Sequence, residues 1–493
     1  MPVLKGNKEM TYTIKTAQNE WEIVCGLEIH CQIISKSKIF SGASTEFGDD
    51  ANENVSFIDA GMPGMLPVLN KECVRQAVKT GLGLNAQINK YSVFSRKNYF
   101  YADQPNGYQI TQYEYPIVGK GKVKIDLSDG SSKEIGITRI HIEQDAAKSI
   151  HDLNPKKSYI DFNRAGVGLM EIVTEPDFKS PEEVGAFLKK LRSIVRYLGT
   201  CDGNMDEGSM RCDASISVKI KGEQGMRERA EVKNVNSVKF AMQAVENEAK
   251  RQVEMYEQGG TIEQQTRQFD QTTGQTKFLR LKEYADDYRY FPEPDLPPLY
   301  LSDDYIENIR QEMVELPDAK KERFIKDFGL TAYDAEILTE SRQTADFFEK
   351  AAKGHEGKKV ANWILGDLFA SLNANKLTLE QSPVTPEMIG ELVDLIETNV
   401  ISGKIGKDVF VHMWQSKKMP SQIIEEKGLK QVTDTGAIEA LIDSVLKENT
   451  ANVEAYHNGK TNLFGFFVGQ VMKVSKGSAN PQMVNEILKK KLG

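Results

Sequence analysis

Glu22-Ile-Val-Cys-Gly-Leu-Glu-Ile-His-Cys-Gln-Ile-Ile34 alternates apolar, often β-branched residues with Glu28, His30 and Gln32 at a period of two, which predicts a β-strand. Side chains two apart on a strand share a face. Glu28 and His30 therefore point one way, and Leu27, Ile29, Cys31 and Ile33 the other. A carboxylate beside an imidazole is a start towards a divalent-cation site, but two polar residues are also what the wet side of any half-buried strand carries.

The pattern then recurs. Ile137-Thr-Arg-Ile-His-Ile-Glu-Gln-Asp145 sets Arg139, His141, Glu143 and Asp145 against Ile140 and Ile142. Met210-Arg-Cys-Asp-Ala-Ser-Ile-Ser-Val218 sets Arg211 and Asp213 against Cys212 and Ile216. Shorter runs add Glu171, and Glu231 with Lys233. A solvated face mixes in Lys, Thr and Ser freely. Five strands that concentrate carboxylates on one face suit a site that recruits cations and phosphates.

At 493 residues the chain exceeds one core, and two to four domains are expected. The composition, 40% hydrophobic and 27% charged, is globular. Five cysteines without CxxC spacing read as reduced core thiols, and no run is long and apolar enough to cross a membrane. No signal peptide is apparent, so a cytoplasmic protein is expected. The net charge of −8 is uneven: from residue 401 on, 13 Lys and Arg face 9 Asp and Glu, a net +4 that leaves −12 for the rest. An acidic body with a mildly basic end permits local contact with a polyanion.

Along the chain, Asn70 caps a helix to about residue 81, and Asp129-Gly130 turns a hairpin. Ser180-Pro181-Glu182-Glu183 opens a helix that Gly199 closes, and a further helix runs over 237–258. Strands in runs with irregularly placed helices indicate an α+β fold with an antiparallel sheet. The stretch 95–112 is rich in basic and aromatic groups. Arg96 and Lys97 suit phosphates, and Tyr99, Tyr101 and Tyr108 suit stacking on bases; an aromatic-rich loop packed on the sheet fits equally. The strap 286–298, rich in proline and acid, carries Arg289 and Glu293, which either face the site or pin the domain edge. Beyond residue 301 the text turns helical. Gly459-Lys460-Thr461 has Glu454 where a phosphate loop needs glycine, so no such loop is expected.

Gly26-Leu-Glu-Ile-His30, Arg96-Lys-Asn-Tyr-Phe-Tyr101, Tyr108-Gln-Ile-Thr-Gln112, Ile172-Val-Thr-Glu-Pro-Asp177, Glu207-Gly-Ser-Met-Arg-Cys-Asp213, Asp287-Tyr-Arg-Tyr-Phe-Pro-Glu-Pro-Asp295 and Ser475-Lys-Gly-Ser-Ala-Asn-Pro481 resemble, in order, the B-subunit family of aspartyl/glutamyl-tRNA amidotransferases. The resemblance runs from about residue 21 to 492. It implies a polar extension over 1–20, a catalytic cradle similar to the glutamine-synthetase superfamily over 21–300, an all-α domain over 301–400 and a helical, tRNA-contacting tail over 401–493. It further implies ATP and Mg²⁺ as cofactors, misacylated tRNA as substrate, and a heterotrimer with an ammonia-producing A subunit and a small C subunit.

Glu28, His30, Glu143 and Glu231 match the family's metal positions, with Glu171 and Asp213 as further catalytic members. Arg96, Lys97, Tyr99, Tyr101 and Lys233 are the expected nucleotide contacts. Two departures stand out. Where relatives carry a four-cysteine zinc site, this chain reads Phe40-Ser-Gly-Ala43 and Val55-Ser-Phe-Ile-Asp59, so no zinc is expected. The family's second carboxylate after Glu143 is Gln144 here. Rival readings are a non-catalytic tRNA-binding scaffold, disfavoured by five acid-bearing strands, and a stand-alone carboxylate–amine ligase, disfavoured by the long helical arm.

Overall fold

In the computed structural model, which describes residues 12–151, 153–281, 285–429, 434–475 and 479–493, the opening stretch is one long strand, Glu20–Gln32. Its residues alternate without a break between buried and half-buried, as the period of two requires. Residues 1–11 of the polar extension and 476–478 of the last motif lie outside the described residues.

The chain divides into two compact units, Met1–Leu316 and Pro317–Gly493. In chain order the strands of the first unit are β1 (Ile14–Lys15), β2 (Glu20–Gln32), β3 (Tyr91–Ser92), β4 (Phe94–Asn98), β5 (Tyr108–Gln112), β6 (Gly121–Asp126), β7 (Ser132–Gln144), β8 (Lys148–Ile150), β9 (Tyr159–Asp161), β10 (Gly168–Thr174), β11 (Met210–Ile220), β12 (Ala230–Val235), β13 (Gln265–Phe269), β14 (Thr276–Leu281), β15 (Phe291–Pro292) and β16 (Leu299–Tyr300). The main sheet has nine strands in the order β14-β13-β12-β11-β2-β10-β7-β6, with β1 on β2. All its pairs are antiparallel except β12 with β13. Between those two runs the helix Val238–Glu257, the kind of crossover that a parallel pair needs.

Among the described residues four α-helices accompany the sheet: α1 (Lys71–Gly83), α2 (Pro181–Leu198), α3 (Val238–Glu257) and α4 (Asp303–Gln311). Asn70, Ser180, Ser237 and Ser302 cap them, each side chain accepting from a first-turn N–H. Gly199 ends α2 at φ 67°, the left-handed conformation that glycine adopts without strain. Trp21, Ile23, Cys25, Leu27, Ile29 and Cys31 of β2 join Val184, Phe187, Leu191, Ala241 and Val245 of α2 and α3 in one buried core. One face of the sheet is thus closed by helices and hydrophobic, and the polar residues are left to the other.

The first unit runs past the 300/301 division because α4 adds Ile309 to that same core. The second unit is helical and holds two cores. One gathers residues between Phe324 and Ile424, the other residues between Ile438 and Leu492. The division expected at 400/401 cuts through the first of these, because Ile405, Val409, Phe410 and Met413 share a core with Leu392 and Val393.

Candidate active site: a carboxylate–imidazole cluster on the open face of the sheet

Register places the functional side chains. Across β11, β2, β10 and β7, Arg211, His30, Glu171 and His141 are directly paired neighbours. Two residues along, and so on the same face, the row reads Asp213, Glu28, Val173, Arg139. Side chains opposite each other across a ladder lie about 4.5–5.5 Å apart at Cβ. Acids from separate stretches therefore become one cluster, on the floor of a cleft of about 1060 Å³ that Glu28, His141, Glu143, Glu171 and Glu231 help to line.

Inside the cluster His30 Nε2 lies 3.4 Å from Glu171, 3.7 Å from Glu28 and 3.7 Å from Glu143. His141 Nε2 lies 3.1 Å from Glu171 and 3.5 Å from Glu143. Thr111 Oγ1, from β5 above the sheet, donates to Glu143 at 2.9 Å. Lys233 bridges Asp213 and, at 3.4 Å, Glu231.

Crowded carboxylates in a buried site need positive charge, and the imidazoles supply it. Burial draws the His30 and His141 pKa values down, but the hydrogen bonds and charges of Glu171 and Glu143 outweigh it and lift both to about 9. Glu143 and Glu171 are correspondingly held below the usual carboxylate range in spite of their burial. Glu28 goes the other way: burial and the neighbouring Glu171 raise it to about 7.

The donor atoms fit a hard divalent cation. Three groups, Glu28–His30–Glu171, His141–Glu143–Glu171 and Glu28–Asp213–Glu231, each bring one atom per residue to within 4.8 Å of the others. An octahedral ion with oxygen ligands at 2.0–2.1 Å spaces its donors roughly 2.9 Å apart when adjacent and roughly 4.2 Å when opposite. The sets share Glu28 and Glu171, so neighbouring cations would share carboxylates.

Of the residues expected from sequence, Glu28, Glu143, Glu171 and Glu231 line the cleft together with Lys97, Tyr99, Tyr101 and Lys233. His30 and Asp213 join through the contacts above. Arg96 stands apart. Its guanidinium grips Glu293 at 2.7 and 2.8 Å and Asp295 at 3.1 Å, and stacks on the Tyr108 ring at 4.2 Å. Glu293 thus pins the strap, and Arg96 is spent on holding it. Asp145, beyond the end of β7, is tied to Arg211 by two 3.0 Å contacts.

The sequence left four contributors unassigned. His141 already showed on the right face of its strand, but only pairing with Glu171 brings it into the cluster. Tyr288 and Tyr290 come from the strap: the Lys97 ammonium lies 4.9 Å from the Tyr288 ring, and Tyr290 stacks on Tyr113 at 4.2 Å. Thr111 was hidden because the stretch 95–112 proves to be a hairpin of β4 and β5, completed by β15. The five cysteines are all buried thiols, and in the loop after β2 buried Lys38 lies 3.3 Å from Asp59.

A sheet whose open face is a carboxylate–imidazole cluster, attached to a helical unit, defines a catalytic protein of the kind that comparison with known families singles out. Residues 23–307 match the family model described as the GatB/GatE catalytic domain, and residues 346–492 match that described as the GatB domain. The chain is 57% identical over 483 residues to the B subunit of aspartyl/glutamyl-tRNA(Asn/Gln) amidotransferase from Paramagnetospirillum magneticum, covering 98% of this chain and 100% of that one. It is 58% identical to the protein of the same name from Rhodospirillum rubrum, with the same coverage, and 58% identical to that from Acidiphilium cryptum, covering 98% and 99%. The chain belongs to the B-subunit family of aspartyl/glutamyl-tRNA amidotransferases and has that subunit's place in a glutamine-dependent ligase. Among the described residues no helix is long and apolar enough to cross a membrane.

Proposed function

We propose that the cleft activates the side-chain carboxylate of Glu-tRNA(Gln), Asp-tRNA(Asn) or both, using ATP and Mg²⁺, for amidation by ammonia. A carboxylate is a poor electrophile whose oxygen leaves badly at neutral pH. Phosphorylation supplies a leaving group: the carboxylate oxygen attacks the γ-phosphorus, ADP departs, and ammonia later displaces phosphate from the acyl carbon. Mg²⁺ would neutralise the triphosphate and hold it in line. Glu28, His30, Glu143 and Glu231 would hold it, with Glu171, Asp213 and His141 completing the set. Lys97, Tyr99, Tyr101 and Lys233 would contact the nucleotide, and Arg96 would act from behind by fixing the strap.

The observation that carries this reading is the pair of cross-strand rows that gather acids and imidazoles on one cleft floor. In keeping with it we take the cradle as akin to the glutamine-synthetase superfamily and the setting as the cytoplasm. Ammonia would come from a partner A subunit held in place through a small C subunit, and the third core would be a tRNA-contacting tail. The test uses the assembled complex. Glu28→Gln or His30→Ala is expected to abolish ATP-dependent amidation of misacylated tRNA while glutamine hydrolysis by the partner stays measurable. Normal amidation in either variant would sink the assignment.

A further inference from the structure

The pairing of β7 with β10 slips between Ile137 and Arg139: Thr174 faces Ile137, and Val173 faces Arg139. A bulge adds a residue to one strand and re-aims its neighbours, and bulges gather beside active sites. Ile137 and Ile140 both stay in the core here. Thr138 and Arg139 consequently both turn to the cleft, which they line. Thr138 is used, its Oγ1 donating to Glu175 at 3.0 Å. Arg139 has no hydrogen bond or ion pair among the described residues, and its buried Nε has no acceptor.

A buried N–H left without a partner costs roughly 1–3 kcal/mol, and such a group in a native fold calls for an explanation. Four other cations of the first unit are engaged. Arg211 pairs with Asp145, Lys233 with Asp213 and Glu231, Arg96 with Glu293, and Lys97 lies against tyrosine rings. Arg139 also shares its row with Glu28, two strands away, and only Val173 lies between them. Adjacent strands are about 4.8 Å apart, so their backbones are separated by about 10 Å across a short, apolar side chain. That span leaves room for one anionic group between the acids and the guanidinium.

We propose that Arg139 grips a substrate oxyanion in this cleft, its planar fork matching two oxygens of one phosphoryl or carboxylate group. The proposal rests on the reading of the cleft as an ATP-dependent carboxylate-activating site. Two sources supply such an oxyanion, the γ-phosphoryl group of ATP and the side-chain carboxylate of the aminoacyl-tRNA, and two pairs of affinities separate them. In the assembled complex, Kd is measured for Mg²⁺ with a non-hydrolysable ATP analogue and with ADP, and for misacylated and deacylated tRNA.

If the oxyanion is the γ-phosphoryl group, Arg139→Met weakens the ATP analogue by roughly tenfold to a hundredfold and leaves ADP nearly unchanged. If it is the carboxylate, the preference for misacylated over deacylated tRNA shrinks by a similar factor while both nucleotides bind as before. Arg139→Lys keeps the charge and most of the stem but loses the fork, and is expected to fall between; it carries the same test should the methionine variant melt early. Unchanged ratios in both pairs would overturn the proposal. A parent complex that binds no ATP analogue would overturn the reading of the cleft, and the tRNA pair would still decide Arg139.

Discussion

His30 and His141 are the residues whose chemistry responds most directly to solution conditions. Each keeps its proton to about pH 9 because it faces buried carboxylates, and Glu28 keeps its own to about 7 because of its burial and the neighbouring Glu171. A divalent cation has to displace those protons, so its affinity is expected to rise with pH as 7 and then 9 are passed, with protons released on binding. Titration with Mn²⁺ at several pH values, with proton release followed in parallel, checks this; affinity that is flat with pH would remove the imidazoles from the ligand set. Stability of the cation-free protein has the opposite sign. A raised imidazole pKa contributes stability that is complete below the ordinary value near 6.5 and lost as pH climbs through about 9, and the raised Glu28 adds to the loss through 7.

The strap shows how an element without much regular structure is made precise. β15 pairs with β4 at Phe291–Arg96 and Pro292–Ser95, Glu293 N donates to Phe94 O at 2.8 Å, and Asn98 Nδ2 donates to the carbonyls of Tyr288 and Arg289. The Glu293 carboxylate is fully buried against Arg96. Removing one partner of a buried ion pair typically costs about 3–5 kcal/mol, because the other charge is left unpaired. Glu293→Ala is therefore expected to lower the melting temperature and to loosen the strap, seen as faster amide exchange over residues 288–293. Tyr288 and Tyr290 would lose their seat in the cleft, so KM for ATP should rise as well. Unaltered exchange in the strap would show that the β15–β4 ladder suffices without the ion pair.

At the scale of the molecule, the second unit's two cores determine where the chain can be cut. Ile423 and Ile424 belong to the first of them, whereas Ile438, Ile442, Phe467 and Leu488 belong to the second. Removing residues 430–493 spares the former core, while a cut at 400/401 would strip it. We expect the 1–429 protein, assembled with its partners, to keep divalent-cation binding at the cleft and to lose affinity for misacylated tRNA. Lys489 and Lys490, in the last turn of the final helix, are among the charges removed. Each lost phosphate contact should flatten the logarithmic salt dependence by roughly 0.7 to 0.9. Equal tRNA affinity at several salt concentrations would make the removed segment structural.

Local sequence was sufficient for whatever depends on neighbours along the chain. The period of two in β2, β7 and β11 gave the strands and their wet faces, and Ser180 with Gly199 gave the ends of α2, because alternation and capping involve residues a few positions apart. It also put Glu28, His30, Glu143, Glu171, Asp213 and Glu231 on polar faces. Which of these touch was decided by register between separate strands, those that meet β2 lying more than a hundred residues from it, and a slip of one residue would have turned each set to the wrong side. The bulge at Thr138 and Arg139, the β4–β5 hairpin that brings Thr111 over Glu143, and the capture of Arg96 by Glu293 arise the same way. Each depends on a partner that alternation along one strand cannot name, so only the packed tertiary structure could choose it.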